Sequence, residues 1–290
     1  LNNYNLHSVK EMKKIAIFGL GSWIGYTLAN SLSRNGFKII GNCSDFKFAN
    51  ILEKSEFKVY ESINQLVSNL NNVDLAIYSI PPNDKETFIL ENILINNIPI
   101  TYLSSSLINQ RFNNKNFLLY KEYSERKFRS ETYIKSNFKY FNIVRFCSAH
   151  GFYRRRETRT DLLLKDIFQK KEIFLDFDYY QNRCLDNDFR ELALDLVTFN
   201  NKKIFTIGTS DVLTQMEFIE LLKEKLISNG FLVKNKFVIV KERNTSVLNI
   251  SSSPSIEFLN ERTELINTYS HEFLIDSIIN KMNDKLSGIY

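Results

Sequence analysis

Cysteine, proline and glycine are all scarce in this chain of 290 residues, which contains three, four and nine of them respectively. The cysteines, Cys43, Cys147 and Cys184, are too few and too widely spaced for a disulfide framework or a zinc site with paired ligands. We therefore expect a reducing, cytoplasmic environment. So little proline and glycine beside 43% hydrophobic residues excludes a disordered or collagen-like chain, so the chain is expected to fold around a core.

Long apolar runs and a strong charge of one sign are absent as well. No run approaches the roughly 20 residues that span a bilayer, and we expect the polar residues 1–12 to be a flexible extension rather than a signal peptide. The net charge is +5 and basic residues alternate with acidic ones, which predicts neither a nucleic acid nor a membrane as partner. One dense basic cluster, 154–156 followed by Arg159, is either a solvated loop or a phosphate-binding segment.

Short apolar runs alternate with helical patterns through the first half of the chain. The predicted strands before Ser104 are 14–20, 37–42, 57–60, 73–80 and 98–103. A long helical stretch at about 117–136 then precedes a sixth strand at 140–146. Apolar strands joined by helices predict an α/β protein with a Rossmann-type, doubly wound parallel sheet. We expect this domain to span 13–150, and 151–290 to form mainly a smaller C-terminal substrate-binding lobe, with part returning to the sheet.

A glycine-rich segment, Gly19-Leu-Gly21-Ser-Trp-Ile-Gly25, follows the first predicted strand and opens the first helix. Backbone without side chains lets a pyrophosphate approach the helix N-terminus, whose free N–H groups and dipole favour negative charge. We therefore predict that a dinucleotide binds at Gly19, Gly21, Ser22, Trp23, Ile24 and Gly25. A purely structural role stays open, because Trp23 suits core packing and glycines also occur at tight turns for steric reasons alone.

The end of the second predicted strand would face the adenosine ribose of that dinucleotide. An acidic residue usually accepts hydrogen bonds from both ribose hydroxyls there, but this sequence has Asn42-Cys43-Ser44 and no carboxylate before Asp45. Cys43 and Ser44 are accordingly predicted to lie beside the ribose. A 2′-phosphate would meet little repulsion, which favours NADP(H) over NAD(H), although Asp45 could still bind the ribose of NAD.

Tyr123 and Lys127 lie at i and i+4 of the long predicted helix, which puts the phenol and the ammonium on one helix face. A nearby cation stabilises the phenolate and lowers the tyrosine pKa from its ordinary value near ~10, so that the phenol can exchange a proton with a carbonyl or alcohol oxygen. Upstream, the fifth strand ends in Ser104-Ser105-Ser106, at the sheet edge where open α/β folds bind ligands. This order of motifs favours a role for the Tyr/Lys pair in proton transfer beside the predicted dinucleotide site.

Taken together, these motifs resemble the extended short-chain dehydrogenase/reductases, the family of nucleotide-sugar epimerases, dehydratases and 4-ketoreductases. The resemblance covers roughly 13–225 and includes Glu131 and the segment from Arg145 to Gly151. It implies that Tyr123 is the acid, that Lys127 is its electrostatic partner and also binds the nicotinamide ribose, and that Ser105 orients the carbonyl. The substrate residues that the resemblance implies are Ser106, which is also the alternative to Ser105, Arg183 and Arg243. We further expect His150 to lie in a loop near the substrate cleft.

Within that family, the short loop before Tyr123 and the segments 203–222 and 241–243 are similar to deoxysugar reductases such as paratose and abequose synthases. The resemblance implies a 4-ketoreductase for a nucleotide-linked deoxysugar of surface polysaccharides, acting as a homodimer. Ser22, Phe146 and the segment 108–110 depart from the family pattern. The alternatives are a 4-epimerase or dehydratase, which uses the same Tyr/Lys pair, and a non-catalytic dinucleotide sensor.

Overall fold

A computed structural model describes most of the chain. The described residues are 14–53, 57–109, 118–146, 148–153, 157–169, 172–174, 183–198, 202–211, 213–233, 236–238, 263–266 and 269–286. Their strands are β1 (Lys14–Phe18), β2 (Lys38–Asn42), β3 (Lys58–Tyr60), β4 (Leu75–Tyr78), β5 (Ile100–Ser105), β6 (Phe141–Phe146), β7 (Ser148–His150), β8 (Glu172–Phe174), β9 (Arg183–Leu185), β10 (Lys203–Ile207), β11 (Lys236–Val238) and β12 (Thr263–Ile266). Their α-helices are α1 (Trp23–Arg34), α2 (Phe46–Glu53), α3 (Ile63–Val67), α4 (Glu86–Ile95), α5 (Leu118–Asn137), α6 (Arg159–Gln169), α7 (Asp186–Glu191), α8 (Gln215–Ser228) and α9 (His271–Leu286).

The main sheet has the strand order β12-β10-β6-β5-β4-β1-β2-β3. Strand β1 runs parallel to both of its neighbours, with Ile15 in register with Ile39 of β2 and with Leu75 of β4. The pairs β2–β3 and β4–β5 are parallel too. Because the order reverses between β1 and β4, the carboxyl ends of these strands form the crevice in which folds of this kind bind ligands. The predicted α/β class with a doubly wound parallel sheet is confirmed.

Burial explains why these segments form strands. Ile15, Ile17 and Phe18 of β1 are all fully buried, as are the four residues of β4, so both faces of the central strands are covered. Such strands appear in sequence as continuous apolar runs rather than as alternating ones. The start of α3 is fixed by a local signal, a capping box in which the Ser62 side chain accepts from the Gln65 amide and the Gln65 side chain accepts from the Ser62 amide.

The chain divides into two compact units. The described residues of unit 1 fall within Leu1–Arg145, Asn187–Thr206 and Arg262–Glu264, and those of unit 2 within Phe146–Asp186, Ile207–Glu261 and Leu265–Tyr290. The core of unit 1 lies between the main sheet and its helices, around residues such as Tyr78, Tyr102 and Ile134. A separate core in unit 2 joins α8 to α9, with Phe218 and Leu222 packed against Ile275 and Ile278. The predicted role of the second part in substrate binding stays a prediction.

Several elements differ from the sequence-based expectation. The fifth strand runs to Ser105 rather than ending at Leu103, so two of the three serines are strand residues. The short strands β7 and β9 pair with each other, as do β8 and β11, and these pairs are too brief to have a periodic pattern of their own. Among the described residues, no helix is long and apolar enough to cross a membrane. The predicted homodimer stays a prediction.

Candidate functional site

The glycine turn leads directly from β1 into α1. Gly19 has a φ of 91°, a left-handed conformation that glycine adopts without strain. Its amide donates to the side-chain oxygen of Asn42 at the end of β2, at 2.8 Å. Gly25 lets the first turn of α1 lie against the loop, since a Cβ there would be 2.2 Å from the carbonyl oxygen of Gly19. Close approach of the backbone therefore requires glycine at these positions. This requirement fits a dinucleotide-binding turn, and it fits tight packing alone equally well.

The start of α1 fits an anionic group. Ser22 caps the helix by accepting from the Gly25 amide at 3.0 Å. The amides of Trp23 and Ile24 belong to the first turn, where an α-helix has no acceptor of its own for them. No acidic residue lies in this turn, so the helix dipole there is unopposed. The amides of Gly21, Ser22 and Gly25 already have acceptors within the protein, so those of Trp23 and Ile24 are the donors of this segment that a pyrophosphate would use.

The segment after β2 is arranged more tightly than the sequence indicates. Cys43 is buried, and its sulfur would lie 2.6 Å from a Cβ on Gly21, so the glycine turn packs directly on this residue. Ser44 is exposed beside it. The carboxylate of Asp45 accepts from the Phe48 amide at 3.3 Å, at the start of α2. Asp45 is therefore engaged in capping a helix that the sequence analysis did not predict.

Lys127 is the central charged group of unit 1, and only 1% of it is exposed. Its Nζ donates to the carbonyl oxygen of Leu103 in β5 at 2.8 Å and to that of Ile80, which follows β4, at 3.4 Å. The ammonium also lies over the ring of Tyr102, 4.4 Å from its centroid. Burial lowers the pKa of Lys127 from 10.5 to about 8, although the charges of Glu86 and Glu131 act in the opposite direction.

Tyr123 lies one turn before Lys127 on α5 and is partly exposed, so the predicted i and i+4 arrangement is present on one helix. Ser105 ends β5, and Ser106 begins the 3-10 turn Ser106–Asn109; they are 5% and 6% exposed. The Ser105 hydroxyl accepts from the Leu107 amide at 3.2 Å. The structure thus places both candidate hydroxyls at the end of the strand whose Leu103 carbonyl holds Lys127.

A residue pair that the sequence analysis missed connects the two parts of the site. Ser79 follows β4, and its hydroxyl donates to the carbonyl oxygens of Phe18 at 2.9 Å and Gly19 at 3.3 Å, and lies 3.4 Å from the Ser22 hydroxyl. The next residue, Ile80, supplies the carbonyl that accepts from Lys127. One dipeptide therefore touches both the glycine turn and the buried lysine. Its position just after an apolar run, before Pro81-Pro82, is the one signal in the sequence that could have indicated it.

Two further buried carboxylates of unit 1 are Glu131, in an ion pair, and Glu86, in a hydrogen bond with a tyrosine. Arg145 of β6 makes a bidentate pair with Glu131, with distances of 3.1 and 2.7 Å, and both side chains are almost fully buried. The hydroxyl of Tyr102 donates to the carboxylate of Glu86 at 2.6 Å. Burial raises the pKa of Tyr102, and the charge of Glu86 raises it further. The resemblance included Glu131 and Arg145, whereas Glu86 and Tyr102 carry no recognisable motif.

Arg183, a predicted substrate residue, is surrounded by other parts of the protein. It is fully buried within unit 2, where its guanidinium lies 4.1 Å from the centroid of the Phe218 ring. Its nitrogens bind the Leu213 carbonyl at 3.2 Å, the Gln215 side chain at 3.0 Å and the His271 ring at 3.0 Å. These protein partners engage the side chain, and its predicted role in substrate binding stays a prediction.

His150 differs from its expected place. It was expected in a loop beside the substrate, but it lies on β7 and its ring is buried against Phe218, with 5.1 Å between ring centroids. Burial, and then the charge of Arg183, lower the pKa of His150 well below its usual range, so the ring is neutral. Its predicted role in substrate binding stays a prediction. Three features of the sequence analysis lie outside the described residues, namely Arg243, Cys147 and the cluster 154–156.

Comparison with known proteins places the fold but not a family. No protein-family model matches this sequence, and no curated protein matches it. Solved structures, in contrast, match almost the whole chain. TunA, an NAD-dependent NDP-hexosamine 5,6-dehydratase of tunicamycin biosynthesis, superposes with a TM-score of 0.69 at 13% identity, over 94% of this chain and 98% of TunA.

Two further structures agree with that match. WbmH of Bordetella bronchiseptica, in complex with NAD+, has a TM-score of 0.66 at 14% identity, and the UDP-glucose 4-epimerase of Thermotoga maritima, with UDP-glucose, has one of 0.64 at 14% identity. Both matches cover 94% of this chain and 99% of the other. This chain has their fold. Since the identities are this low, the likeness establishes the shared architecture, and function has to be argued from the site.

Proposed function

We propose that this chain is a nicotinamide-dinucleotide-dependent oxidoreductase that acts on a nucleotide sugar, with reduction of a 4-keto group as its reaction. The observation that carries the proposal is the meeting of the glycine turn and Lys127 at the residues Ser79 and Ile80. A pyrophosphate at the turn and a proton-transfer group on α5 would then serve one extended ligand. The dinucleotides and nucleotide sugars named for the proteins of the same fold support this assignment.

In this proposal Tyr123 exchanges a proton with the substrate oxygen. The bound nicotinamide supplies or accepts the hydride. Lys127 lowers the free energy of the Tyr123 phenolate by its positive charge, which acts strongly because the ammonium is shielded from water. Ser105 or Ser106 donates a hydrogen bond to the carbonyl oxygen and so orients it. Ser105 is the first candidate for this role and Ser106 the alternative. Turnover by the two single alanine variants shows which hydroxyl has it.

We further propose that NADP(H) is preferred over NAD(H). The segment from Asn42 to Ser44 offers no carboxylate to a ribose, and the carboxylate of Asp45 is engaged by the Phe48 amide. A 2′-phosphate near this segment would therefore meet a single carboxylate among these four residues, that of Asp45, which the Phe48 amide holds at the start of α2. NAD is the cofactor named for TunA and WbmH, which makes NAD(H) the competing outcome of the binding measurement.

The second candidate is 4-epimerisation or dehydration of a nucleotide sugar, which the reactions named for the proteins of the same fold favour. The two candidates differ in cofactor balance. A ketoreductase oxidises one NAD(P)H for each substrate molecule, whereas an epimerase or dehydratase returns its cofactor to the starting state in every cycle. Absorbance at 340 nm, followed against product formation, distinguishes them.

The test begins with calorimetric titration of NADPH and NADH, followed by turnover assays on UDP-glucose and on 4-keto-6-deoxy nucleotide sugars. Tyr123→Phe should retain dinucleotide binding and lose about 10² to 10⁴-fold in turnover, the usual contribution of a general acid. Tyr133→Phe, also partly exposed on α5, is the matched control and should retain turnover. Failure to bind either dinucleotide would refute the proposal, as would equal turnover in both tyrosine variants.

A further inference from the structure

The inner side of Lys127 faces two tyrosine rings rather than a carboxylate. Its Nζ lies 4.4 Å from the centroid of Tyr102 and 5.6 Å from that of Tyr78. A cation over an aromatic face is attracted by the electron density of the ring, and more strongly so when water is excluded. The two rings also stack on each other, with 5.3 Å between centroids, and both are fully buried. The ammonium therefore rests on a rigid aromatic surface.

A buried carboxylate lies behind that surface. Glu86 is the first residue of α4 and is 6% exposed, and its carboxylate accepts the Tyr102 hydroxyl at 2.6 Å. The helix N-terminus and this hydrogen bond both stabilise the ionised form in place of water. Its negative charge acts on Lys127 more strongly than any other single charge. Tyr102 thus connects the two groups, since its hydroxyl binds the anion while its ring face meets the cation.

The other charged groups around Lys127 are balanced among themselves. Glu131, on the same helix, is the second carboxylate that acts on Lys127, but it is bound on two oxygens by Arg145 of β6 and approached by Lys135 at 3.7 Å. From β4 and β5 the facing titratable groups are Tyr78 and Tyr102, which burial keeps protonated. On the outer side of α5, Arg126 pairs with Asp84 at 3.0 Å. Among the described residues, Glu86 is the carboxylate acting on Lys127 for which no ion pair with another cation is seen.

We propose that Glu86, acting through Tyr102, is a positioning residue that keeps Lys127 protonated and holds its ammonium at the end of β5. The proposal rests on the proposed function, because it is there that Lys127 has to be charged in order to stabilise the Tyr123 phenolate. Burial brings the pKa of Lys127 down to about 8, so the charge is retained by only a small margin at neutral pH. Loss of the Glu86 charge removes that margin.

The direct test is an NMR titration of the lysine side chain between pH 6 and 10. Protein labelled with ¹³C and ¹⁵N on lysine gives one titration curve for each ammonium group, and Lys127→Arg identifies the resonance of Lys127 by its disappearance. The midpoint of Lys127 should fall by about one pH unit or more in Glu86→Gln, as expected when an opposite charge nearby is removed. Glu91→Gln makes the same change on the exposed side of α4 and should leave the midpoint in place.

Tyr102→Phe is the second variant, because it keeps the ring beneath Lys127 and removes only the hydroxyl that binds Glu86. It should lower the midpoint by a smaller amount than Glu86→Gln. It also decides the question if Glu86→Gln does not fold. An unchanged Lys127 midpoint in a folded Glu86→Gln protein, or in Tyr102→Phe when that is the variant that folds, overturns the inference.

A kinetic measurement then separates this inference from the proposed function. In Glu86→Gln the fall of kcat/KM at high pH should begin about one pH unit lower than in the parent protein, whereas a purely structural defect would reduce kcat/KM equally at every pH. If no nucleotide sugar is turned over, the proposed function fails, and the NMR midpoints still decide whether Glu86 controls the charge of Lys127.

Discussion

Replacement of Lys127 by methionine should change how the stability of unit 1 depends on pH. Burial lowers the pKa of Lys127 from 10.5 to about 8 in the folded protein. Between these two values the unfolded chain still holds a proton that the folded protein has released. The free energy of unfolding of the parent protein should therefore rise with pH through this range, and the methionine variant lacks the contribution.

The size of this change in the free energy of unfolding follows from proton linkage for a single group with these two pKa values. The contribution of Lys127 is close to zero at pH 7, because both states are protonated, and it reaches about 1.3 kcal/mol at pH 9 and about 2.5 kcal/mol at pH 10. At pH 7 itself the variant no longer buries a charge, at a saving of about 3 kcal/mol, but it also loses the charged hydrogen bonds to Leu103 and Ile80, at about 1.5–3 kcal/mol each. These two effects oppose each other at pH 7, so the change of stability with pH is the quantity to measure.

The assay is urea unfolding of the dinucleotide-free protein at pH 7, 8 and 9, followed by the fluorescence of Trp23, the one tryptophan of the chain, which lies in unit 1. Lys121→Met is the matched control, since Lys121 lies on the same helix with a side chain 54% exposed. The stability difference between parent and Lys127→Met should grow by about 1.3 kcal/mol from pH 7 to pH 9, and that between parent and control should not. A difference that stays constant with pH would refute the reasoning.

The remaining predictions concern packing and ion pairing, and both are read from urea unfolding at pH 7. Gly25→Ala should lower the free energy of unfolding by about 1–3 kcal/mol and weaken dinucleotide binding, because the new Cβ would meet the Gly19 carbonyl. A Gly→Ala change in a helix normally raises stability by up to about 1 kcal/mol. Such an increase here would contradict the close approach. Arg145→Met should cost about 3–5 kcal/mol because it leaves the Glu131 carboxylate buried without its main partner, and the double variant with Glu131→Leu should recover most of that loss. Arg129→Met, at an exposed pair, should change stability by less than about 1 kcal/mol.

The agreement between sequence and structure is best where local signals and burial coincide. The predicted strands 37–42 and 57–60 are present as Lys38–Asn42 and Lys58–Tyr60, and the helix Gln215–Ser228 begins at a recognisable signal in the sequence. For the helix the reason is local, since Thr214 and Glu217 form a reciprocal capping box at its start. For the central strands the reason is burial on both faces, which selects an apolar residue at nearly every position.

The disagreements have physical causes as well. His150 belongs to a strand of three residues, which is stabilised by its partner strand and by core packing rather than by any pattern in its own sequence. Arg183 was assigned to the substrate from the family resemblance, and nothing in the sequence indicated that the fold surrounds its guanidinium with Phe218, Gln215 and His271.

The sequence by itself determined the doubly wound sheet, the glycine turn that opens α1 and the spacing of Tyr123 and Lys127, because these depend on periodicity, local turn chemistry and helix geometry. Only the tertiary structure decided that Lys127 is buried, that Ser79 and Ile80 join it to the glycine turn, and that Glu86 lies behind Tyr102. These groups are far apart in the chain. Their interaction energies depend on the distances between them and on exclusion of water, and both are set only when folding brings the strands together.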